Sequence, residues 1–341
     1  MNQYSITGKL EILFILFENL FIRYYFDKIQ KKMKFKIERW NIYNKFMKNL
    51  EEKRFWIWFS MIENLGSRRK QKLLEIYKNP EKIYNLSKKD LMEIDGIGEK
   101  LAENIIDEKI KKQVDEQIIK MKELDVDIIS INDESYPQML KNIYDYPISL
   151  YIKGNIKNLQ GPSIAIIGCR EASEYGKKAA KYFGYNLAKS GFNIVSGLAK
   201  GVDSYSHIGN LKAKKVDNLF TCGKNNVKVV ENLSTCGKFV HNSLLAIGNP
   251  IAVIGSGLDI IYPRENEILQ NEILNVGGTV ISEYPLGTVP DKMNFPARNR
   301  IISGLSEAVL VIEAKKKSGT LLTVDFALEQ GKEVFVVPRK Y

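Results

Sequence analysis

Six short β-rich apolar runs, separated by helical stretches, constrain this chain more than any other feature. The runs fall at 164–167, 193–196, 251–254, 279–282, 308–312 and 333–337. Helical periodicity lies between them, near 175–190, 202–213, 264–276, 298–306 and 320–330. Strands alternating with helices of this length predict an α/β domain over 163–341, built on a doubly wound, mostly parallel sheet. Such a sheet binds its ligands outside the carboxyl ends of its strands.

Upstream the pattern changes. Residues 55–124 have helical periodicity with short breaks at Gly66 and Asn79-Pro80, which predicts a small helical domain. Within it, LMEIDGIGEKLAENI (91–105) runs an apolar helix end into Asp95-Gly96-Ile97-Gly98 and then starts a new helix. Two glycines permit a tight hairpin with backbone N–H groups exposed at a helix N-terminus, a helix-hairpin-helix-like element. A turn of this kind either grips a nucleic-acid phosphate or simply packs two helices. Residues 125–162 carry strand patterns at 126–131 and 149–152 and read as a connector.

Two segments stand apart. Residues 1–54 form an atypical lysine-rich helical extension. The longest apolar run in it, 12–17, falls far short of the roughly 20 residues a membrane span needs. It predicts an amphipathic helix and no membrane partner. The second segment is 214–246, where NLFTCGK (218–224) recurs as NLSTCGK (232–238). It interrupts a helix-to-strand connection that needs only a few residues, so it reads as an insertion. Its Cys222 and Cys236 lack the CxxC or paired histidines of a zinc site. With three cysteines in all and no signal peptide, the chain fits a reducing cytoplasm.

The formal charge of +11 invites a polyanion partner, but its distribution matters. Residues 1–54 hold 12 Lys+Arg against 6 Asp+Glu, and 214–245 hold 5 Lys against 2 acids. They supply +6 and +3 of the total, leaving +2 for the remainder. A polyanion site must therefore be a local cluster.

The strand ends supply candidates for one. They read Gly168-Cys169-Arg170, Ser196-Gly197-Leu198-Ala199-Lys200-Gly201, Gly255-Ser256-Gly257, Ser282-Glu283-Tyr284-Pro285, and Glu313 followed by Lys315-Lys316-Lys317-Ser318-Gly319-Thr320. Small residues let backbone N–H groups approach a phosphate, and helix N-termini add a favourable dipole. Arg170, Lys200, Lys292, Arg298 and Arg300 add positive charge. There is no GxGxxG after the first strand and no GxxxxGK[ST], so dinucleotide and P-loop sites are disfavoured and no cofactor is expected. Glu283 and Glu313 either pair with nearby arginines or serve as acid/base groups, with pairing the stronger expectation. His207 is expected to pack on the helix after Asp203.

With these residues in hand, the chain resembles the DprA/Smf family of bacterial DNA-processing proteins. The matching phrases are AIIGCREASEYG (165–176), VSGLAKGVDSYSH (195–207), IAVIGSGLDIIYPRENE (251–267), ISEYPLGT (281–288), FPARNRIISGLSEAVLVIEA (295–314), KSGTLLT (317–323) and ALEQGKEVFVVP (327–338). The resemblance covers about 55–338, minus the insertion. It implies a Rossmann-like domain that binds single-stranded DNA without enzymatic chemistry, preceded by a SAM or helix-hairpin-helix-like domain. It further implies a cytoplasmic homodimer that protects incoming DNA in natural transformation and helps load the RecA recombinase. Carried over by motif, Arg170 beside Gly168 and then Lys292 should contact phosphates. Phe295 should stack on a base. Arg298 and Arg300 should face the same pocket or buttress it through Glu283 or Glu313. Ser196, Lys200, Ser318 and Gly319 complete the expected nucleic-acid site.

Two alternatives stay open. The fold also looks similar to the phosphoribohydrolases, whose PGGxGTxxE motif carries a catalytic glutamate. Thr323 stands at that glutamate's place here. The other alternative is an inactive remnant: the family normally continues through a glycine-rich segment past the point corresponding to Pro338, so a shortened or atypical reading frame is expected.

Overall fold

The computed structural model describes residues 52–221, 246–315 and 318–338. The expected extension lies outside them up to residue 51, and so does the expected insertion from 222 to 245, with Cys222 and Cys236. Residues Arg54–Tyr341 form one unit.

All six apolar runs are strands, within a residue or two of their expected bounds. They are β3 (Ser163–Gly168), β4 (Asn193–Ser196), β5 (Pro250–Ile254), β6 (Thr279–Ser282), β7 (Ala308–Glu313) and β8 (Glu333–Val336), preceded by β1 (Val126–Ser130) and β2 (Ser149–Gly154). The sheet order is β1-β2-β6-β5-β4-β3-β7-β8. From β6 to β8 every pairing is parallel. The order reverses between β3 and β7, and that reversal makes a crevice at the strand ends. The fold is thus the expected Rossmann-like, doubly wound sheet.

The 125–162 segment does more than connect. β1 pairs antiparallel with β2, and β2 antiparallel with β6, so it adds two strands to one sheet edge. Parallel strands need crossovers, whereas antiparallel β1 and β2 are joined by only the short helix α7 (Gln138–Lys141) and its flanking turns.

Helices cover both faces. α8 (Glu174–Lys189), α9 (Val202–Thr221) and α10 (Glu267–Asn275) connect β3 to β6 in turn. α11 (Asn294–Gly304) and α12 (Gly319–Glu329) flank β7. One core packs Ile167, Val195, Val253 and Val311 beneath Ile301, Ile302 and Leu305 of the α11 segment. The other packs Ile166, Ile194 and Leu310 beneath Ala180 and Ala188 of α8 and Val202 of α9. Strands buried on both faces read as unbroken apolar runs, and that is why they were visible in the sequence.

Ahead of the sheet come α1 (52–61), α2 (Ser67–Tyr77), α3 (Pro80–Tyr84), α4 (Lys88–Met92), α5 (Glu99–Ile106) and α6 (Glu108–Glu123). The expected hairpin sits between α4 and α5, with Gly96 at φ +88° and Gly98 as the α5 N-cap. Lys72 Nζ, from α2, donates to Asp95 O at 2.8 Å and Asp95 Oδ2 at 2.7 Å, so this turn is also tied to its neighbour.

His207 is fully buried on α9, as expected. Burial pushes its pKa down to about 3, against a smaller opposing pull from the Ser196 backbone. Between pH 6.5 and 3 the unfolded chain takes up a proton that the folded chain refuses, so stability falls as pH drops through that window. Going from pH 7 to pH 5 should cost about 2 kcal/mol through this residue. Urea melts of the unaltered protein and of His207→Leu at both pH values check this: the variant should lose that part of the acid slope.

Candidate nucleic-acid interface

Where the strand order reverses, the ends of β3 and β7 and the start of α11 enclose an open cleft of about 610 Å³. Gly168, Arg170, Lys292, Phe295, Arg298, Ser318 and Gly319 all line it. Lys200 lines a smaller recess alongside, shared with Arg170 and Phe295. Ser196 and Arg300 line neither.

Gly168 is required by space: a Cβ there would lie 2.4 Å from Val202 Cγ2 and 2.9 Å from Glu313 O. The loop after it carries Arg170 and rests on Gly201. Gly201 has φ +79°, and a Cβ on it would lie 2.4 Å from the carbonyl oxygens of both Cys169 and Arg170. Gly201→Ala should therefore cost about 1–3 kcal/mol and displace the Arg170 loop. A thermal melt paired with an oligonucleotide titration checks both effects.

Phe295 stacks on Tyr262, with centroids 5.3 Å apart and planes at 30°. The Arg170 guanidinium lies 5.6 Å from the Phe295 centroid. The three make a short column of flat groups, and Tyr262 is 45% exposed. Tyr262 was not among the expected site residues. Its signal was the Tyr-Pro pair after β5, but no local pattern says that this ring meets Phe295.

Charges around the cleft divide clearly. Glu171 pairs with Lys315 at 2.6 Å on the rim. Asp203 and Arg298 face each other in the wall, where a Cβ on Gly197 would lie 2.6 Å from both Asp203 Oδ2 and Arg298 Nη2. Burial raises the Asp203 pKa, with Arg298 opposing; burial pulls Arg298 down to about 10, with Asp203 opposing. Among the described residues, Arg170 and Lys292 have no carboxylate partner. Lys200 does, holding Glu265 at 2.5 Å.

α12 adds a polar end. Its N-cap, Ser318, makes no side-chain cap bond. The Ser318 Oγ is buried and without a partner. Helix N-termini without a side-chain cap favour anions in general.

Three expected contacts have inward roles. Ser196 is fully buried and its Oγ donates to Ile166 O at 2.7 Å. Arg298 is 5% exposed and donates to the carbonyls of Gly197 (2.8 Å) and Val253, tying two strand ends together. Arg300 is 2% exposed. Its Nη2 donates to both Glu283 oxygens at 2.8 Å and to Ser67 Oγ at 3.0 Å, and its Nε meets Asp145 Oδ2 at 2.9 Å. It joins the start of α2 to the end of β6. Each residue satisfies buried polar groups whose partners lie far away in sequence.

The two carboxylates in question are also engaged. Glu283 holds Arg300 and Ser67. Glu313 Oε2 accepts from Ser173 N at 2.9 Å and Ser173 Oγ at 3.0 Å, closing the N-terminus of α8. Thr323 is 2% exposed. Cys169 is a buried thiol whose pKa burial pushes up, with Glu313 adding to it.

Known proteins share this architecture. The family model for DNA recombination-mediator protein A matches residues 127–247 and 236–341. The two stretches overlap at 236–247, at the end of the segment read as an insertion. A SAM-like helix-hairpin-helix tandem model matches 59–109, in line with the expected SAM or helix-hairpin-helix-like domain. Protein Smf of Synechocystis is 33% identical over 84% of this chain and 65% of its own length. The DNA processing protein DprA of Bacillus subtilis is 38% identical over 64% of this chain and 62% of its own. The chain thus spans a little under two thirds of the length of these curated relatives. The X-ray structure of DNA processing protein A from Streptococcus pneumoniae superposes with a TM-score of 0.63 at 32% identity, covering 84% of this chain and 87% of that one. From its first strand to its last, then, the sheet that builds the cleft is the one the family model describes, and the chain belongs to the DNA recombination-mediator protein A family.

Proposed function

We propose that the chain binds single-stranded DNA in this cleft, without cleaving it, and delivers it to recombination. The observation that carries the reading is the pairing of two cations without a carboxylate partner among the described residues, Arg170 and Lys292, with the Tyr262–Phe295 stack, whose tyrosine is exposed and whose phenylalanine is half-buried. Cations hold a phosphate backbone, and aromatic faces hold bases with little regard to sequence. A single strand presents both, whereas a duplex hides its base faces. The engagement of Glu283 and Glu313 in structural bonds supports binding over hydrolysis. The relative named DNA processing protein DprA supports a DNA ligand. Handover to the RecA recombinase, a role in natural transformation and a cytoplasmic setting belong to the same proposal, on family grounds. No described helix is long and apolar enough to cross a membrane. Self-association into a homodimer belongs to the same proposal, on family grounds.

Fluorescence anisotropy with a labelled oligonucleotide tests the reading. Single strands should bind more tightly than the same sequence as duplex, and added salt should weaken the complex. Phe295→Ala should lower single-strand affinity by about tenfold or more, the effect of one lost base stack. Equal affinity for duplex and single strand overturns the proposal.

A further inference from the structure

The lysines of α8 are not arranged as on an ordinary solvated helix. In α6, EKIKKQVDEQIIKMKE, lysines and acids are mixed. α8, EYGKKAAKYFGYNLAK, sets Lys177, Lys178, Lys181 and Lys189 against Glu174 alone. That glutamate is already engaged by Lys177 at 2.6 Å. Aromatic rings lie among the ammonium groups. The Tyr205 ring of α9 has Lys181 Nζ at 4.9 Å and Lys177 Nζ at 5.8 Å, and Tyr182 is 64% exposed.

Two glycines fuse α8 and α9 into one surface. A Cβ on Gly184 would lie 2.2 Å from Ser206 O, and one on Gly209 would lie 2.3 Å from Lys181 O. The backbones therefore nearly touch, with no groove between them. On α9, Tyr205, Ile208 and Lys212 follow at helical spacing along one face, and Ile208 and Lys212 are exposed. Both helices begin at the cleft. α8 follows the loop of Arg170, and α9 follows Ala199, Lys200 and Gly201. Since β3, β4 and β5 are parallel, both helices lead away from it. At 1.5 Å per residue, α8 extends about 24 Å from the rim.

We propose that the α8–α9 surface is a second backbone track for the same DNA strand, carrying it on from the cleft over Lys178, Lys181 and Lys212. This rests on the cleft reading and extends it. One-signed charge on flexible stems, interleaved with exposed rings, complements a polyanion with stackable bases and no fixed sequence. The track would lengthen the bound strand without adding base readout.

The test uses the full chain, Lys178→Gln/Lys181→Gln/Lys212→Gln, and two oligonucleotides, one of about five nucleotides for the cleft alone and one of about twenty to reach along α8. The short strand should bind variant and unaltered protein alike. For the long strand, the plot of log affinity against log salt should be shallower in the variant by about 2, from three lost contacts at about 0.7 each. Over a fourfold rise in salt, the unaltered protein should then lose roughly twentyfold more affinity than the variant. Matching thermal melts confirm that the variant folds. Equal slopes on the long strand overturn the track and leave the cleft standing, and so does an equal loss on both strands, which marks a diffuse charge effect. Failure of the unaltered protein to bind either strand overturns the cleft reading and the track with it.

Discussion

Replacing Arg170 and Lys292 together with alanine should lower affinity for single-stranded oligonucleotide by about a hundredfold or more, the combined effect of two charge-assisted bonds to phosphate. The loss should be the same for every sequence, because phosphate contacts carry no base information. The salt slope should fall by about 1.4. Neither side chain has a carboxylate partner among the described residues, so the double variant should melt with the unaltered protein. That combination, intact stability with collapsed binding, is the signature of contact residues. Affinity within threefold of the unaltered protein would sink the assignment.

The opposite signature is expected of Arg300. Arg300→Met should cost about 3–5 kcal/mol of stability, because it strips a buried carboxylate of its partner. The Arg300 side chain is 3% exposed, and those of Glu283 and Asp145 are 19% and 35% exposed. Although burial works against its charge, Glu283 and Asp145 hold the guanidinium above its usual pKa. Burial raises the Asp145 pKa, with Arg300 opposing. Without the arginine, two carboxylates crowd one poorly hydrated place. A second change, Glu283→Gln, should recover part of the loss, since a double-mutant cycle reads the coupling directly. Oligonucleotide affinity of the folded fraction should stay within about twofold, because Arg300 lies outside the cleft. Denaturant melts measure the first effect and titration below the melting range the second. A large binding defect with unchanged stability would place Arg300 at the DNA instead.

These two arginines show where the sequence stops being informative. Arg298 and Arg300 sit two positions apart on α11, beside a phenylalanine, in what looks like a basic site. What turns them inward is remote: Gly197 and Val253 for one, and Ser67, Asp145 and Glu283 for the other. Nothing local announces those partners. Arg170 and Lys292 stay outward for the converse reason, since among the described residues no carboxylate pairs with them. The strands were legible because burial on both faces leaves a continuous apolar record. The edge pair β1 and β2 was legible as strands but not as part of the sheet. Its pairing with β6 is a long-range register that no window of sequence contains. The stack of Tyr262 on Phe295 failed to show for the same reason.

The rim pairs, Glu171 with Lys315 and Lys200 with Glu265, have one more consequence. All four side chains are more than half exposed. Exposed pairs hold by little and exchange readily. An arriving phosphate can therefore take over either lysine from its glutamate. Part of the ion exchange that accompanies binding then happens inside the protein, with carboxylates displaced in place of dissolved anions. Affinity for DNA should accordingly depend on salt less steeply than the number of lysines around the cleft implies. If the cleft holds a strand as proposed, the same carboxylates would keep the empty cleft from clinging to every polyanion it meets.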